Sequence, residues 1–320
     1  MTAQLSVVPR RTSAGEPSPA PDRSRRRRRW ASVTPYAFLA PTLVLFTVVM
    51  LIPIGQAVQI SLYEWSPIPG ADNTFLGGAN YQRAMADPDF QLGLLNAGVY
   101  LVVTVPAQIA LGLILALLLH TRLPGRTLFR VLFYLPVVTS WVVVSLLFRA
   151  LFANEGAINW FLMDGLGVVN DPVPWLDSHW TALAALCTLG VWKGIGWTAI
   201  ILLAGLQGVP EELHEAAAVD GAGYLRRLWH VTLPSLRRNL MFVSVLLVIG
   251  SFNVFISVLL MTRGGPGDQT QMPLTYLYKQ AFEYLDFGYG AAIAVIMTAL
   301  VLVLSIAQTA FFNRAGKGES

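Results

Sequence analysis

Six stretches of apolar residues alternate with polar segments along the chain and dominate its pattern. They cover about residues 35–60, 94–119, 131–152, 181–206, 237–261 and 288–312. Each reaches the ~20 residues that an α-helix needs to cross the hydrocarbon core of a membrane. Because lipid offers the backbone no hydrogen-bond partners, such segments must be helical. The pattern therefore predicts an all-α integral membrane protein with six transmembrane helices.

The composition supports this class, and one polar segment stands apart from the spans. Hydrophobic residues make up 55% of the chain and charged residues 12%, whereas soluble domains carry about 25% charged residues. Residues 1–32 are rich in Ser, Pro and Arg, which predicts a disordered basic tail. Such a tail also suits nucleic-acid binding. Because the tail lies directly before the first span, we expect it to stay in the cytoplasm and set the orientation of that span, and we expect no nucleic-acid partner.

The distribution of basic residues predicts the orientation. Most of the 22 Lys and Arg residues fall on one side of the predicted spans, in clusters at 25–29, 226–227 and 237–238 among others. Most of the acidic residues between the spans fall on the opposite side. By the positive-inside rule, both termini are expected in the cytoplasm.

The loop between spans four and five, "GVPEELHEAAAVDGAGYLRRLWHVTLP" at 208–234, carries signals for two short helices. Pro210 precedes two acids that favour the positive end of a helix dipole, and the alanines at 216–218 favour a helix with little side-chain bulk. Asp220 and Gly221 predict the end of that helix, with Gly221 in a strained or left-handed backbone. These features suit a surface that another protein approaches closely, or a simple connection between two spans.

The same loop resembles the EAA loop of ABC-importer permeases. The matching residues are Glu215, Ala216, Ala217, Asp220, Gly221, Leu233 and Pro234. The resemblance implies a type I ABC-importer permease fold, with a cytoplasmic coupling helix between spans four and five. It further implies that residues 211–230 dock on a separate ABC ATPase subunit, which carries ATP and Mg, in a bacterial plasma membrane. A second permease subunit and an extracytoplasmic solute-binding protein are the other implied partners.

A second stretch, residues 252–282, resembles carbohydrate-importer permeases of the maltose-transporter type. It contains "TRGGPG" at 262–267, where that family often carries a Thr-x-Gly-Gly-Pro-Gly loop; a flexible turn is the plain alternative. The resemblance implies a sugar substrate, and the same architecture serving another solute stays open. The expected organisation is a tail at 1–32, a first helix and outer loop at 33–90, a type-1 permease domain at 91–312 and a cytoplasmic tail at 313–320.

The motifs that are missing weaken the other function classes. No G-x-x-x-x-G-K-[ST] sequence is present, so no cofactor and no ATPase activity are expected on this chain. The predicted spans contain no Asp or Glu, which disfavours an ion-coupled carrier. No catalytic motif supports a membrane enzyme. A scaffold without transport would leave the loop pattern unexplained.

The candidate substrate pathway consists of Trp192, Lys193, Trp197 and Asn253, since a sugar site combines aromatic walls with a few polar groups. A lysine within a span is costly and usually faces a cavity or a partner. Interhelical hydrogen bonding is the alternative for these polar residues. Helical spacing places Lys193 and Trp197 on one face and Trp192 about 100° away.

Overall fold

The computed structural model describes residues 36, 38–68, 72–121 and 125–317, without the side chains of residues 126 and 315–317. The predicted tail at 1–32 lies outside the described residues. The chain divides into two units, Met1–Gly55 and Gln56–Ser320.

Helices account for almost all of the regular structure in these ranges. They are α1 (Phe38–Ile60), α2 (Ala79–Ala86), α3 (Pro88–His120), α4 (Arg126–Val138), α5 (Trp141–Leu151), α6 (Ala157–Trp160), α7 (His179–Gln207), α8 (Glu211–Val219), α9 (Tyr224–Ser235), α10 (Arg237–Phe252), α11 (Ile256–Met261), α12 (Pro273–Tyr278) and α13 (Phe287–Lys317). A short antiparallel pair, β1 (Tyr63–Glu64) and β2 (Thr74–Phe75), sets Tyr63 opposite Phe75. The prediction of an all-α protein is confirmed.

Within the described residues, four helices are long and apolar enough to cross a membrane: α1, α3, α7 and α13. Two bent pairs bring the number in the described ranges to six if each pair is one span. They are residues 127–138 of α4 with α5, bent by 96°, and α9 with α10, bent by 69°. The prediction of several membrane spans therefore holds, with four continuous candidate spans and two bent pairs in the described ranges.

The continuous helix predicted at 131–152 is wrong. Helix α4 ends at Val138, Thr139 is extended, and α5 begins after Ser140, whose hydroxyl oxygen accepts from the Val142 N–H at 3.3 Å. Pro136 lacks the N–H that would continue the hydrogen-bond ladder, and Ser140 is a favourable N-cap. The two local signals together end one helix and start another.

The continuous helix predicted at 237–261 is also interrupted. Helix α10 ends at Phe252, and α11 resumes at Ile256. Asn253 has φ −100° and ψ 17°, and its amide Nδ2 donates to the Ile249 carbonyl at 2.8 Å. Asn competes in this way with backbone hydrogen bonds. Irregular backbone at membrane depth requires burial in protein or a cavity beside it, and a cavity is present here.

The core of the unit Gln56–Ser320 forms around α3 and α7. Two glycines of α7, Gly190 and Gly194, face side chains of α3. A Cβ atom at Gly190 would collide with the Tyr100 hydroxyl, and one at Gly194 would collide with the Gln108 side chain. Small residues four apart let membrane helices pack closely. In the other unit, the described residues 38–55 are all exposed.

Candidate functional site

A cavity of about 410 Å³ lies where α3 and α7 meet the two interrupted helices. Gln108 comes from α3, Lys193 and Trp197 from α7, Trp141 from the start of α5, and Ser257 from α11. No Asp or Glu is among its lining residues in the described ranges. The cavity thus combines flat aromatic walls with a few polar groups, which is the composition of a small-molecule site.

Lys193 connects α7 to the break between α4 and α5. The side chain is 5% exposed. Its Nζ donates to the carbonyl oxygens of Pro136 and Thr139, both at 2.7 Å, and lies 4.8 Å from the centre of the Trp141 ring. Carbonyls at the end of a helix have no partner within the helix and carry its negative dipole end. The ammonium group supplies both the donors and the opposite charge, and it fixes the position of Trp141 at the cavity wall.

The structure brings three of the four predicted pathway residues together. Lys193, Trp197 and Asn253 all line the cavity. Trp192 does not: it is 41% exposed, contacts Phe148 at 5.3 Å between ring centres, and lines a second cavity of about 550 Å³. The 100° separation of neighbouring helix residues accounts for this division.

Sequence reasoning missed Trp141 and Gln108 as cavity residues. Gln108 lies in the middle of α3, and its polar amide in an otherwise apolar part of the span was the available signal. Trp141 follows Pro136 and Ser140, which mark the helix break. That break turns α5 by 96° and places its first residue at the cavity.

The segment 208–236 contains the second candidate site. Helix α8 ends in a Schellman motif: the Gly221 N–H donates to the Ala218 carbonyl at 3.0 Å, and the Ala222 N–H donates to the Ala217 carbonyl at 2.9 Å. Gly221 has φ +76°, so the predicted left-handed backbone is present. This turn separates α8 from α9.

Most of the predicted loop residues are accessible. Glu215, Ala216, Asp220, Gly221 and Pro234 are exposed, whereas Ala217 and Leu233 are partly buried. In α9, the turn Leu228–Thr232 is π-helical and precedes Pro234. A proline ring collides with the carbonyl four residues before it, and a widened turn relieves that collision.

Apolar side chains are concentrated on the exposed surface of this segment. Val219, Tyr224, Leu225 and Trp229 are 89%, 62%, 67% and 66% exposed, respectively. Contiguous exposed apolar groups mark interaction surfaces. Leu225 and Trp229 are four residues apart, a spacing that predicts one shared helix face from the sequence. No such spacing marks Val219.

A cluster of polar and aromatic side chains around Asp87 joins the starts of α3 and α13. The Asp87 carboxylate caps α3 and accepts hydrogen bonds from the hydroxyls of Tyr276 and Tyr289 through Oδ2, at 2.5 Å each. Burial raises the pKa of Asp87, but these hydrogen bonds outweigh it and hold that pKa below its ordinary value. Arg83 lies 3.9 Å from the Tyr289 ring centre and pairs with Asp286 at 2.6 Å. The cluster anchors this end of the helices.

No metal-binding arrangement is present in the described part of the chain, where no group of three or more His, Cys, Asp or Glu residues is suitably placed.

Comparison with known proteins gives a consistent result. Residues 108–317 match the family model described as "Binding-protein-dependent transport system inner membrane component". The chain is 36% identical to the probable ABC transporter permease protein YurN of Bacillus subtilis, over 90% of this chain and 98% of that protein. It is 32% identical to the arabinooligosaccharides transport system permease protein AraP of Halalkalibacterium halodurans, over 90% of each. It is also 32% identical to the lactose transport system permease protein LacF of Rhizobium radiobacter, over 88% of this chain and 94% of that protein.

Among solved structures, the fold is similar to a chain of a bacterial ABC transporter involved in the import of the acidic polysaccharide alginate. The TM-score is 0.77 with 20% sequence identity, covering 90% of this chain and 99% of that chain. At this level of sequence identity, the similarity shows a shared fold.

Proposed function

The chain belongs to the family of binding-protein-dependent transport system inner membrane components, and we propose that it forms half of the pathway of an ABC importer for a sugar or oligosaccharide. As a member of that family it is a multi-pass membrane permease that works with partner subunits. Relatives named as permeases for arabinooligosaccharides and lactose support a carbohydrate substrate.

The cavity between α3, α7 and the two helix breaks is the observation that carries the proposal. Trp141 and Trp197 offer apolar ring faces for the carbon skeleton of a sugar. Gln108, Asn253 and Lys193 offer amide and ammonium groups for its hydroxyls. This chain supplies these groups to the pathway, and a second permease subunit supplies the other half.

The segment 211–230 is the proposed docking surface for the ATPase subunit. Its exposed alanines permit close approach, and its exposed apolar side chains supply surface to bury. ATP and Mg belong to that partner, and the termini of this chain lie on the same cytoplasmic side. A solute-binding protein delivers the sugar at the opposite side.

The bent pair α9–α10 links this surface to the cavity. Helix α9 belongs to the docking segment, whereas Leu246, Ser251 and Asn253, in and just after α10, line the cavity. A displacement of α9 by the ATPase therefore moves the cavity wall. Such rigid-body motion between two arrangements is a common basis of switching.

The direct test is uptake in cells that lack the chromosomal gene and carry it on a plasmid. A panel of ¹⁴C-labelled mono-, di- and trisaccharides built from glucose, galactose and arabinose is compared with ¹⁴C-histidine and ¹⁴C-spermidine. We expect uptake of at least one panel sugar that depends on the gene. Purification of the tagged permease should recover an ATPase and a second permease. Gene-dependent uptake of histidine or spermidine without any sugar would refute the sugar assignment.

A further inference from the structure

Five aromatic side chains form a continuous row that starts at the cavity wall and leads away from it. The order is Phe255, Tyr278, Phe282, Phe287 and Trp65. Successive ring centres are 5.3, 5.2, 5.6 and 5.5 Å apart. We call these five residues the aromatic row. Four of them lie within residues 255–287, and the fold brings the distant Trp65 to them.

The row begins at the cavity and ends at the starts of α3 and α13. Phe255, in the break after α10, lines the cavity itself. Phe287 is the first residue of α13, close to the Asp87 cluster. Trp65 follows β1, and β1 approaches α13 so closely that a Cβ atom at Gly288 would collide with the Tyr63 carbonyl. The aromatic row therefore connects the cavity to the end of the helices opposite the segment 208–236.

The middle of the row is accessible. Phe282 is 56% exposed and Tyr278 is 37% exposed. Rings that served only to pack the core would be buried, as Phe148 and Phe152 are in another aromatic cluster of this chain. These two rings are therefore open to contact with a ligand, with lipid or with a partner protein.

Polar groups accompany the rings. Lys279 follows Tyr278, pairs with Asp268 at 2.6 Å, and lies 5.6 Å from the ring centre of the exposed Tyr284. Burial raises the pKa of Asp268, but hydrogen bonds from Lys279 and Gln271 outweigh it and lower that pKa, so the carboxylate is ionised and accepts hydrogen bonds. Flat apolar faces next to fixed donors and acceptors match the two kinds of surface on a sugar.

We propose that the aromatic row is a carbohydrate-binding track along which an oligosaccharide passes to the cavity. The inference rests on the proposed sugar import and adds a second subsite to it. The exposed rings, Tyr278 and Phe282, are tilted by 31° to each other, and each offers one face to a sugar unit, so a disaccharide spans the pair. Phe255, at 64° to Tyr278, continues the track to the cavity. Such a track holds the substrate loosely and lets it move from one ring to the next.

A lipid-facing aromatic belt and a contact with the partner permease are the competing roles. In both, the ring serves as apolar surface, and an aliphatic side chain of similar volume replaces it at small cost. A sugar requires the flat face of a ring. Phe282→Leu therefore distinguishes the roles, since it keeps the apolar volume and removes the face, whereas Phe282→Tyr keeps the face.

The experiment measures uptake of the ¹⁴C-sugar panel by the full transporter in cells carrying Phe282→Leu, Phe282→Tyr or Phe161→Ala. Phe161 is a matched control, since it is 52% exposed and lies outside the row. We expect Phe282→Leu to raise the apparent KM for a trisaccharide roughly tenfold, equivalent to about 1.4 kcal/mol. The effect should be smaller for a monosaccharide. Phe282→Tyr and Phe161→Ala should stay within twofold of wild type, and all variants should yield the same amount of complex.

The outcomes separate this inference from the function on which it rests. If a panel sugar is imported and Phe282→Leu changes no KM, the track is refuted while the sugar importer stands. If Phe282→Leu lowers the yield of complex and leaves the KM unchanged, the ring contacts lipid or the partner permease and the track is refuted. If no panel sugar is imported by the wild type, the sugar proposal fails and the track fails with it.

Discussion

Replacing Lys193 with methionine removes the two hydrogen bonds that hold the end of α4 while keeping a side chain of similar length. The ammonium group donates to the carbonyls of Pro136 and Thr139 at 2.7 Å each, and the residue as a whole is 5% exposed. Methionine fills the space but donates no hydrogen bond. The perturbation is therefore limited to the contacts of the ammonium group, at the break and at the cavity wall.

The magnitude follows from those contacts. A hydrogen bond from a charged group contributes about 1.5–3 kcal/mol, and a cation at a helix C-terminus adds about 0.3–1 kcal/mol. The adjoining cavity can supply a water to one of the two carbonyls and restore part of this energy. We therefore expect a net loss of about 3 kcal/mol, which shifts the population of the clamped arrangement by roughly 100-fold.

The assay combines uptake of the identified sugar with the yield and thermal stability of the purified complex. Lys193→Met should lower uptake at least tenfold, with the ATPase still copurifying. Lys193→Gln keeps N–H donors without the charge and should give an intermediate value. Asn253→Leu should have a smaller effect, because the Asn253 amide donates only within its own helix region, to the Ile249 carbonyl at 2.8 Å.

Trp192→Leu is the matched control on the same helix. Its side chain lines the other cavity, so uptake should stay near the wild-type value. Wild-type uptake and stability in Lys193→Met would refute the reasoning, because the α4 carbonyls would then not depend on this residue. Loss of the assembled complex would instead assign Lys193 a purely structural role.

Three further predictions concern the segment 208–236, the topology and the Asp87 cluster. Gly221→Pro should abolish ATPase copurification and uptake at normal expression, because proline cannot adopt φ +76° or donate the capping N–H; Gly223→Ala, at φ −67°, should preserve both. A single cysteine at Asp171 should react with an impermeant thiol reagent in intact cells and one at Ala222 should not; the reverse pattern would overturn the orientation. Asp87→Asn should lower the melting temperature at pH 7; because the folded pKa is depressed, the difference should shrink as the pH falls below about 4. A difference independent of pH would exclude the carboxylate charge as its cause.

The sequence by itself determined the class, the approximate spans and the turn at Gly221. Apolar runs of this length have one stable form in lipid, since every backbone group must be bonded within the segment. The Asp220–Gly221 pair is equally decisive, because a left-handed C-cap is a local property that favours glycine. Helix geometry alone places Lys193 and Trp197 on one face of the helix and Trp192 on another. These features depend on neighbours within a few residues.

The tertiary structure alone decided where the spans break and what the breaks create. By local sequence alone, Pro136 and Asn253 are each compatible with a kinked but continuous helix. At the break after Pro136, Lys193 of another helix bonds the free backbone carbonyls. At Asn253, a cavity lies beside the irregular backbone, as such backbone requires at membrane depth. The partners of Lys193 lie 54 and 57 residues away along the chain. Likewise, the aromatic row joins Trp65 to residues near 255–287. No local pattern encodes contacts of this kind, because they depend on which helix faces pack together.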